Sequence, residues 1–367
     1  MALLTEDELR QRVERLAAIE RESGSDGELE AAKVIADELG GRLEPERVHG
    51  TYWWPVGILM ALAGLTRSRL VGLFAGIAVI DDITGGRQWF RRTFLPKRET
   101  ANVVAEFGEG DDTVVVVAHH DAAHSGLVFH PELPRAVLRR FPKLAENADT
   151  TPGTMWGAVA GPLLIALGFK RLGAFLCAGY AAAMADIGLR KVVPGANDNL
   201  TGVAVLLSLA RELPIPGVRV ILVSTCSEES FMEGMQAFGR RHFPELPRER
   251  TTFICVDTVG SPNLLALEGE GMVWMNEYPK DLIERAHALA GELGIELLGD
   301  LRLRNATDGL IALRAGYPTI TFGSVDEFKI PTNYHWPTDT ADRVDYGTVA
   351  DMARLTRELI VRASLRA

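Results

Sequence analysis

Cysteine is scarce in this chain, and its placement argues against a disulfide framework and against a cysteine-rich metal site. The three cysteines, Cys177, Cys226 and Cys255, are far apart and lack the paired spacing of thiolate metal sites. Cys226 and Cys255 lie in apolar, strand-like runs, where a free thiol behaves as a small hydrophobic side chain. We therefore expect reduced cysteines in a reducing compartment.

Basic residues are too few for a nucleic-acid-binding surface. The chain has 39 lysine and arginine residues against 49 aspartate and glutamate residues, a formal net charge of −10. Phosphate backbones are bound by clustered cations, so nucleic acid is excluded as the expected partner. The N-terminal residues form a charged amphipathic pattern without the apolar core of a secretory signal. We expect a cytoplasmic location, and membrane association is left open as a further property.

Apolar runs long enough for a typical transmembrane helix, about 20 residues, are also missing. Two shorter apolar stretches, residues 53–80 and 155–187, are each divided by a basic turn and predict two helical hairpins. Three interpretations are open: the hairpins pack on the rest of the chain, form a homo-oligomer interface, or make peripheral contact with a membrane. The hairpin entrances carry tryptophan, which is compatible with the last of these: Trp53, Trp54 and Trp156.

The rest of the chain has no internal repeat and alternates between helical and extended patterns. Helices are predicted at residues 4–22, 27–39, 199–213, 232–242, 282–293, 308–315 and 346–362. Strands are predicted at residues 102–107, 113–118, 218–225, 252–256 and 319–322, with a hairpin-like turn at 108–112 between the first two. Near-continuous apolar strands indicate a sheet covered on both faces. We predict an α/β fold, a three-layer α/β/α sandwich with a mixed, largely parallel central sheet. We expect one catalytic domain over residues 1–367, with the apolar hairpins in insertions at 51–95 and 125–192.

Two adjacent carboxylates, Glu228 and Glu229, follow the apolar strand at 218–225 almost directly. Charged side chains at a strand end usually face solvent, so a solvated acidic pair is the plain interpretation. The backbone can instead turn after a strand so that neighbouring side chains converge on one pocket. One carboxylate would then bind a metal ion while the other handles a proton.

A second polar group, His119-His120-Asp121, follows the strand at 113–118. Ligands of open α/β sheets bind at the carboxyl ends of the strands, and both groups lie at such ends. The first histidine can ligate a metal while the aspartate accepts a hydrogen bond from its other ring nitrogen, and His120 is expected to face away. Alone the triplet is weak evidence, because a histidine at a strand end is commonly structural.

Three more candidate ligands lie at predicted element ends or in loops. Asp198 stands in the polar turn at 195–202 before a helix, where helix capping is an equally good explanation. Asp257 ends a predicted strand, and His335 lies in a loop rich in turn-forming residues. The candidate ligands provide two imidazoles and three carboxylates: His119, Asp198, Glu229, Asp257 and His335. This set suits two zinc ions about 3.5–4 Å apart, with Asp198 as the shared ligand and Glu228 left free.

These motifs, in this order, resemble those of the co-catalytic zinc aminopeptidase family, which also includes glutamate carboxypeptidase and the glutaminyl cyclases. The family's H-x-D, G-A-x-D-N-x-S/T-G, E-E, D-x-V-G, Y-H and D-T motifs resemble residues 119–121, 195–202, 228–229, 257–260, 334–335 and 339–340. The resemblance covers the two N-terminal helices, residues from about 100 to 121, and residues 195–362. The apolar hairpins lie outside it.

The resemblance implies a role for each matched residue. His119 and Asp257 would bind one zinc ion, Glu229 and His335 the other, and Asp198 both. Glu228 would be the general base, and Asp121 would support catalysis beside its histidine. The implied activity is hydrolysis of the N-terminal peptide bond of a peptide by a zinc-bound water, with cobalt or manganese as substitutes for zinc.

The chain departs from the family pattern in several places. After Glu229 the family's small residues are replaced by larger ones, including Phe231 and Met235, which are expected near the pocket. The family's S-D-H appears as residues 307–309 without its imidazole. His124 is a candidate replacement, with an ordinary surface histidine as the simpler interpretation. The long segment between the first two motifs predicts a hairpin at the cleft mouth, as a lid or a partner surface.

Two other kinds of function are open. Carboxypeptidase, dipeptidase or glutaminyl cyclase chemistry uses the same scaffold. A non-catalytic, receptor-like scaffold protein would keep the fold without zinc and act through its hairpins. The complete set of candidate ligands favours the peptidase.

Overall fold

The centre of the protein is a mixed β-sheet whose strands come from most of the chain. The computed structural model describes residues 2–364, so residues 1 and 365–367 of the expected domain lie outside the described residues. The strands are β1 (Arg42–Val48), β2 (Arg98–Phe107), β3 (Asp112–His119), β4 (Val218–Thr225), β5 (Thr251–Val256), β6 (Asn263–Ala266), β7 (Gly269–Glu270), β8 (Asn276–Glu277), β9 (Leu297–Leu298), β10 (Arg302–Leu303) and β11 (Thr319–Val325). Within residues 2–364 the main sheet has eight strands in the order β1-β2-β4-β3-β5-β11-β6-β9, and β10-β7-β8 form a small second sheet.

The helices of the described residues lie on both faces of the main sheet and in a bundle beside it. They are α1 (Glu6–Ala17), α2 (Asp26–Leu39), α3 (Trp53–Thr66), α4 (Arg69–Ile83), α5 (Trp89–Phe94), α6 (Glu132–Arg140), α7 (Lys143–Glu146), α8 (Trp156–Leu167), α9 (Lys170–Leu189), α10 (Thr201–Ala210), α11 (Glu233–His242), α12 (Lys280–Leu293), α13 (Gly309–Arg314) and α14 (Tyr346–Ser364). Helices α1, α2, α10, α12 and α14 share a core with one face, and α11 and α13 share a core with the other. The predicted three-layer sandwich is confirmed.

The central strands are apolar on both sides because both sides are buried. In β3, Val114 and Val116 belong to the core under α10 and α14, whereas Val115 and Val117 belong to the core under α11. The pairs β3–β4, β3–β5 and β5–β11 are parallel, and the pairs β1–β2, β2–β4 and β6–β11 are antiparallel. The prediction of a mixed sheet with a parallel centre is therefore confirmed, and the carboxyl ends of β3, β4 and β5 meet at one edge.

The expected hairpin-like pairing of the strands at 102–107 and 113–118 is wrong. Strand β4 lies between β2 and β3, pairing antiparallel with β2 and parallel with β3. The turn at 108–112 does reverse the chain, but β4 is apolar along both faces and occupies the position between the two strands. A short turn between two apolar segments therefore does not establish that the two strands pair with each other.

The two apolar stretches each contain two helices, and together these four helices form a bundle. Helix α3 packs on α9, α9 on α8, α8 on α4, and α4 on α3. The bundle has its own buried core, which includes Leu59 and Met60 of α3 and Ile165 of α8. Close approach of α4 and α8 requires glycine, since a Cβ on Gly72 would lie 2.6 Å from the carbonyl oxygen of Pro162. We call α3, α4, α8 and α9 the four-helix bundle.

Candidate metal centre

His119 ends β3 with its ring held between two carboxylates. Its Nδ1 lies 3.2 Å from Asp121 Oδ1, and its Nε2 lies 3.3 Å from Asp198 Oδ1. His120 turns away from the site, and its Nδ1 lies 2.9 Å from Ser224 Oγ. The Nε2 of His119 is therefore the nitrogen that faces the other candidate ligands, while Asp121 fixes the ring from behind.

Asp121 does more than the H-x-D pattern predicted. Its carboxylate accepts hydrogen bonds from the backbone N–H groups of Glu228 and Glu229, each at 3.0 Å, and from Ser23 Oγ at 2.5 Å. The side chain of Asp121 is fully buried. One carboxylate thus positions both the imidazole of His119 and the backbone of the glutamate pair.

The glutamate pair lies in a tight turn shortly after β4. Ser227 and Phe231 flank the pair and have left-handed backbone conformations, with φ of 48° and 68°. Such values are uncommon outside glycine, and here the backbone N–H of Ser227 donates to Glu28 Oε1 at 2.6 Å, which helps to hold the turn. Glu228 and Glu229 are only 9% and 8% exposed. The plain interpretation of a solvated acidic strand end is therefore wrong.

Asp198 is presented by the turn that precedes α10. The carboxylate of Asp339 accepts hydrogen bonds from the backbone N–H groups of Asn197 and Asp198, at 2.8 and 3.1 Å. Asn199 caps the helix instead, because its Oδ1 accepts a hydrogen bond from the backbone N–H of Gly202 at 3.0 Å. The carboxylate of Asp198 is therefore not used as a cap and points toward the two histidines.

Asp257 and His335 complete the cluster. His335 Nε2 lies 3.2 Å from both Asp198 Oδ2 and Glu229 Oε1. His119 Nε2 lies 4.0 Å from Asp257 Oδ2. The structure thus brings all five predicted ligands together at the carboxyl edge of the sheet.

The five side chains form two groups of three donors that share one carboxylate. One group is His119, Asp198 and Asp257, the other is Asp198, Glu229 and His335, and within each group the donor atoms lie within 4.8 Å of one another. Asp198 Oδ2 and Glu229 Oε1 are buried, and although each lies 3.2 Å from His335 Nε2, neither makes a well-aligned hydrogen bond to a described residue. Buried carboxylate oxygens without a partner are costly, and a cation would satisfy them. Imidazole and carboxylate are donors that zinc accepts, so this donor set fits zinc.

Glu228 lies beside both groups. With His119 and Glu229 it forms a third set of donor atoms within 4.8 Å of one another. Burial raises the pKa of Glu228 well above its ordinary value, and the neighbouring charge of Glu229 adds to the effect. Burial likewise raises the pKa of Asp257 to about 6. Such a concentration of buried carboxylates calls for added positive charge.

Several residues that hold the site were missed by the sequence analysis. Arg21, fully buried between α1 and α2, donates to the carbonyl oxygens of His120 at 2.9 Å and Gly195 at 3.1 Å. Ser23 and Glu28 bond to Asp121 and to the glutamate turn, as described above. The segment around residues 21–28 matches no motif, and its only signal was a cluster of polar residues between two helices.

The residues where the chain departs from the family pattern lie in different surroundings. His124 is not a substitute ligand, because its ring packs at a tilt against Trp53, with centroids 4.4 Å apart, and its Nε2 lies 3.5 Å from Glu22 Oε1. Asp308 is buried near the cluster and accepts a hydrogen bond from Thr225 Oγ1. Burial raises the pKa of Asp308 to about 7. The aspartate of the altered motif is thus kept near the site without its imidazole neighbour.

Two adjoining cavities, of about 600 Å³ and about 750 Å³, meet at Glu228, Glu229 and His335. The smaller one lies against the four-helix bundle, and Phe231 lines it. Met235 lines neither of these two cavities and lies in the core between α11 and the sheet. The expectation that Met235 borders the pocket is therefore wrong, because this side chain lies in the core that α11 shares with the sheet.

A buried ion-pair network connects the four-helix bundle to the glutamate turn. Arg91 of α5 donates to both carboxylate oxygens of Asp82, at the end of α4, with distances of 2.7 and 2.8 Å. Its Nη1 donates to the carbonyl oxygen of Ser230 at 2.5 Å and lies 3.7 Å from Glu233 Oε2. The turn that carries the glutamate pair is therefore fixed from the bundle side as well as from Asp121.

Replacing Arg91 with methionine is expected to lower the free energy of unfolding by about 3–5 kcal/mol, because Asp82 would remain buried without its partner. Urea unfolding followed by circular dichroism measures the change. Arg139→Met is the matched control, since it removes an exposed ion pair with Glu132 and should change stability by less than about 1 kcal/mol. Equal stabilities of the two variants would contradict a structural role for the network.

Comparison with known proteins gives a consistent result. The model of peptidase family M28 matches residues 182–360. No curated protein matches the chain in sequence.

Solved structures with similar folds include zinc exopeptidases and glutaminyl cyclases. A leucine aminopeptidase precursor from Bacteroides thetaiotaomicron has a TM-score of 0.59 and 15% identity, with 98% of this chain and 97% of that chain covered. A Zn-dependent exopeptidase from Parabacteroides distasonis has a TM-score of 0.57 and 14% identity, with 97% of each chain covered. A glutaminyl cyclase from Porphyromonas gingivalis has a TM-score of 0.59 and 13% identity, with 99% of each chain covered.

At these identities the solved structures establish a shared fold, and the family model adds the sequence evidence. The match begins within α9 and ends within α14, so it contains four of the five predicted ligands and the glutamate pair. The predicted resemblance to the co-catalytic zinc aminopeptidase family is therefore confirmed, in that residues 182–360 match the model of peptidase family M28.

Proposed function

We propose that this protein is a dizinc aminopeptidase that removes N-terminal residues with large apolar side chains from peptides. The observation that carries the proposal is the pair of three-donor groups that share Asp198, with Glu228 beside them. In this proposal His119 and Asp257 hold one ion, Glu229 and His335 hold the other, and Asp198 bridges both. Zinc ions held there would polarise the scissile carbonyl and lower the pKa of an attacking water.

Glu228 is the proposed general base. Its carboxylate takes a proton from the attacking water and returns it to the leaving amine. Its carboxylate is buried and lies within donor distance of His119 and Glu229, beside both three-donor groups. The hydrogen bonds from the backbone of Glu228 and Glu229 to Asp121 keep the base and the neighbouring ligand in fixed relative positions.

The charges around the cavities favour recognition of an amino terminus over a carboxyl terminus. A carboxypeptidase needs a cation to pair with the terminal carboxylate of its substrate. No arginine lines either of the two cavities formed by the described residues, and their one lysine, Lys329, donates to the carbonyl oxygen of Ala148 at 2.7 Å. The carboxylates of the cluster instead provide an environment that suits a terminal ammonium group.

The wall of the smaller cavity supports a preference for apolar side chains. The lining contributed by α9 and by the glutamate turn is dominated by aromatic and aliphatic side chains, among them Tyr180, Met184 and Phe231. The volume of this smaller cavity, about 600 Å³, exceeds the volume of a single side chain, so large N-terminal residues fit without crowding.

A substrate panel tests the proposal. Peptide amides beginning with leucine or phenylalanine should be cleaved faster than those beginning with glycine or aspartate. Acetylating the same amino terminus should abolish cleavage, since the ammonium group is then lost. Faster cleavage from the carboxyl terminus would refute the assignment.

Glutaminyl cyclase activity is a second candidate, because the fold is shared along almost the whole length of a glutaminyl cyclase. A peptide with N-terminal glutamine separates the two reactions. Hydrolysis releases free glutamine and a shortened peptide, whereas cyclisation releases ammonia and leaves the peptide at full length. Cyclisation without cleavage of the leucine peptide would replace the aminopeptidase proposal.

A further inference from the structure

The four-helix bundle exposes apolar side chains on its outer surface as well as burying them in its core. On α3 the exposed residues recur every three or four positions, as Trp54, Ile58, Leu62 and Leu65. On α4 they are Leu70, Leu73, Phe74 and Ile77. Leu65 is 84% exposed and Leu70 is 79% exposed, which is far beyond the scattered exposure of single apolar residues on soluble proteins. Helices that are apolar on all faces are typical of a protein core or a membrane.

The second hairpin adds to the same surface. Leu167 of α8, Phe169 in the following turn, and Leu172 and Phe175 of α9 are 54–75% exposed. Since the helices are arranged as a ring, the exposed stripes of α3, α4 and α9 face different directions around the bundle. A single protein partner, such as a second copy of the chain, would cover one side only. A lipid phase can cover all of them.

The charge of the bundle points to the kind of lipid. The aspartates of the bundle, Asp81, Asp82 and Asp186, lie near the C-terminal ends of α4 and α9. Residues 53–80 and 155–185 contain no aspartate or glutamate, although the chain as a whole has a net charge of −10. Their cations are confined to the two turns at the tip of the bundle: Arg67, Arg69, Lys170 and Arg171. The turns are in contact, because a Cβ on Gly168 would lie 2.6 Å from Arg69 Nη2. Four cations beside exposed leucine and phenylalanine complement anionic headgroups above an acyl layer.

The opposite end of the bundle carries tryptophan. Trp54 and Trp156 are 41% and 50% exposed in the first turns of α3 and α8. Tryptophan prefers the boundary between headgroups and acyl chains. Among the described helices, α9 alone is long and apolar enough to cross a membrane by length and composition, so the expectation that the chain lacks a stretch of this length is wrong for α9. The other three have 12 to 15 residues and reach only about 18–22 Å, shorter than the roughly 30 Å of a hydrocarbon core.

From these observations we propose that the four-helix bundle docks the protein onto a lipid bilayer that contains anionic headgroups. The outward apolar stripes enter the acyl layer, and the four tip cations bind headgroup phosphates. The docked bundle also brings the surface of α9 to the lipid, and Phe175 of that surface lines the cavity that reaches Glu228 and His335. Docking does not depend on the proposed reaction.

Flotation of the full chain with vesicles tests the proposal. The protein should float with vesicles of phosphatidylcholine and phosphatidylglycerol in equal amounts, and much less with phosphatidylcholine alone. A variant with all four tip cations replaced by glutamine should lose roughly fivefold in partitioning for each cation removed. The double variant Leu65→Glu, Leu70→Glu should lose more than tenfold.

The controls separate lipid binding from changes in charge or folding. A charge-matched control replaces four exposed arginines outside the bundle with glutamine: Arg250, Arg285, Arg354 and Arg362. Its partitioning should equal that of the unmodified chain. The Leu65 and Leu70 side chains are exposed, so the double variant should keep the cooperative unfolding of the unmodified protein. Failure of the unmodified chain to float, or dimerisation without vesicles that Leu65→Glu abolishes, would overturn the proposal.

Discussion

Replacing Glu228 with glutamine is expected to lower kcat by about 10²- to 10⁴-fold while leaving the zinc content unchanged. Glutamine has nearly the same shape as glutamate but cannot take a proton from water at neutral pH. The backbone N–H of residue 228 would still donate to Asp121, so the turn should keep its geometry. The measurement is kcat on the preferred leucine peptide, together with metal analysis of the same protein batch.

Glu229→Gln is the matched control for this experiment, because it makes the same chemical change at the adjacent residue. Glu229 belongs to the group of Asp198 and His335, so its variant is expected to lose zinc as well as activity. Glu228 also lies within donor distance of His119 and Glu229, which makes a ligand role the alternative. Zinc loss in the Glu228 variant would show that Glu228 is a ligand, and near-full activity would exclude it as the base.

Asp198→Ala is expected to reduce zinc to less than one ion per chain and to abolish measurable cleavage. Both three-donor groups include this carboxylate, so its removal leaves two donors in each group. Metal analysis after dialysis and kcat on the leucine peptide measure the two effects. No other single substitution among the five predicted ligands removes a donor from both groups.

Asp121→Asn provides a graded comparison with Asp198→Ala. Asp121 contacts His119 and the glutamate turn but belongs to neither three-donor group. Losing a hydrogen-bond partner of a ligand typically costs about 10- to 100-fold in metal affinity or activity, less than losing a shared ligand. If Asp198→Ala keeps two zinc ions, the shared-ligand assignment is wrong.

The edge of the sheet that carries the candidate ligands could be predicted, because local sequence patterns were enough to identify the ends of the strands. Apolar runs such as the one in β3 ended directly before polar residues, and parallel strands place such ends together. The motifs around His119, Asp198 and Glu229 lie where the sequence predicted them, at the ends of buried strands or before a helix. The residues of each motif are close in sequence, so their spacing carried the information.

The supports of the cluster depend on contacts between distant segments, which sequence patterns do not reveal. Arg21 and His120 are 99 positions apart, and Glu28 and Ser227 are 199 positions apart. The placement of β4 between β2 and β3 likewise follows from long-range pairing rather than from the turn at 108–112. The four-helix bundle was visible as two apolar stretches, but the ring arrangement of its helices was not. The cytoplasmic location and the one-domain organisation stay predictions.

Anomalous scattering from a crystal of the zinc-loaded protein, measured at the zinc edge, tests the dizinc assignment most directly. Two peaks are expected, one among His119, Asp198 and Asp257 and the other among Asp198, Glu229 and His335. Their separation should be about 3.5–4 Å, with Asp198 in contact with both. A single peak, or none at this cluster, would contradict the assignment.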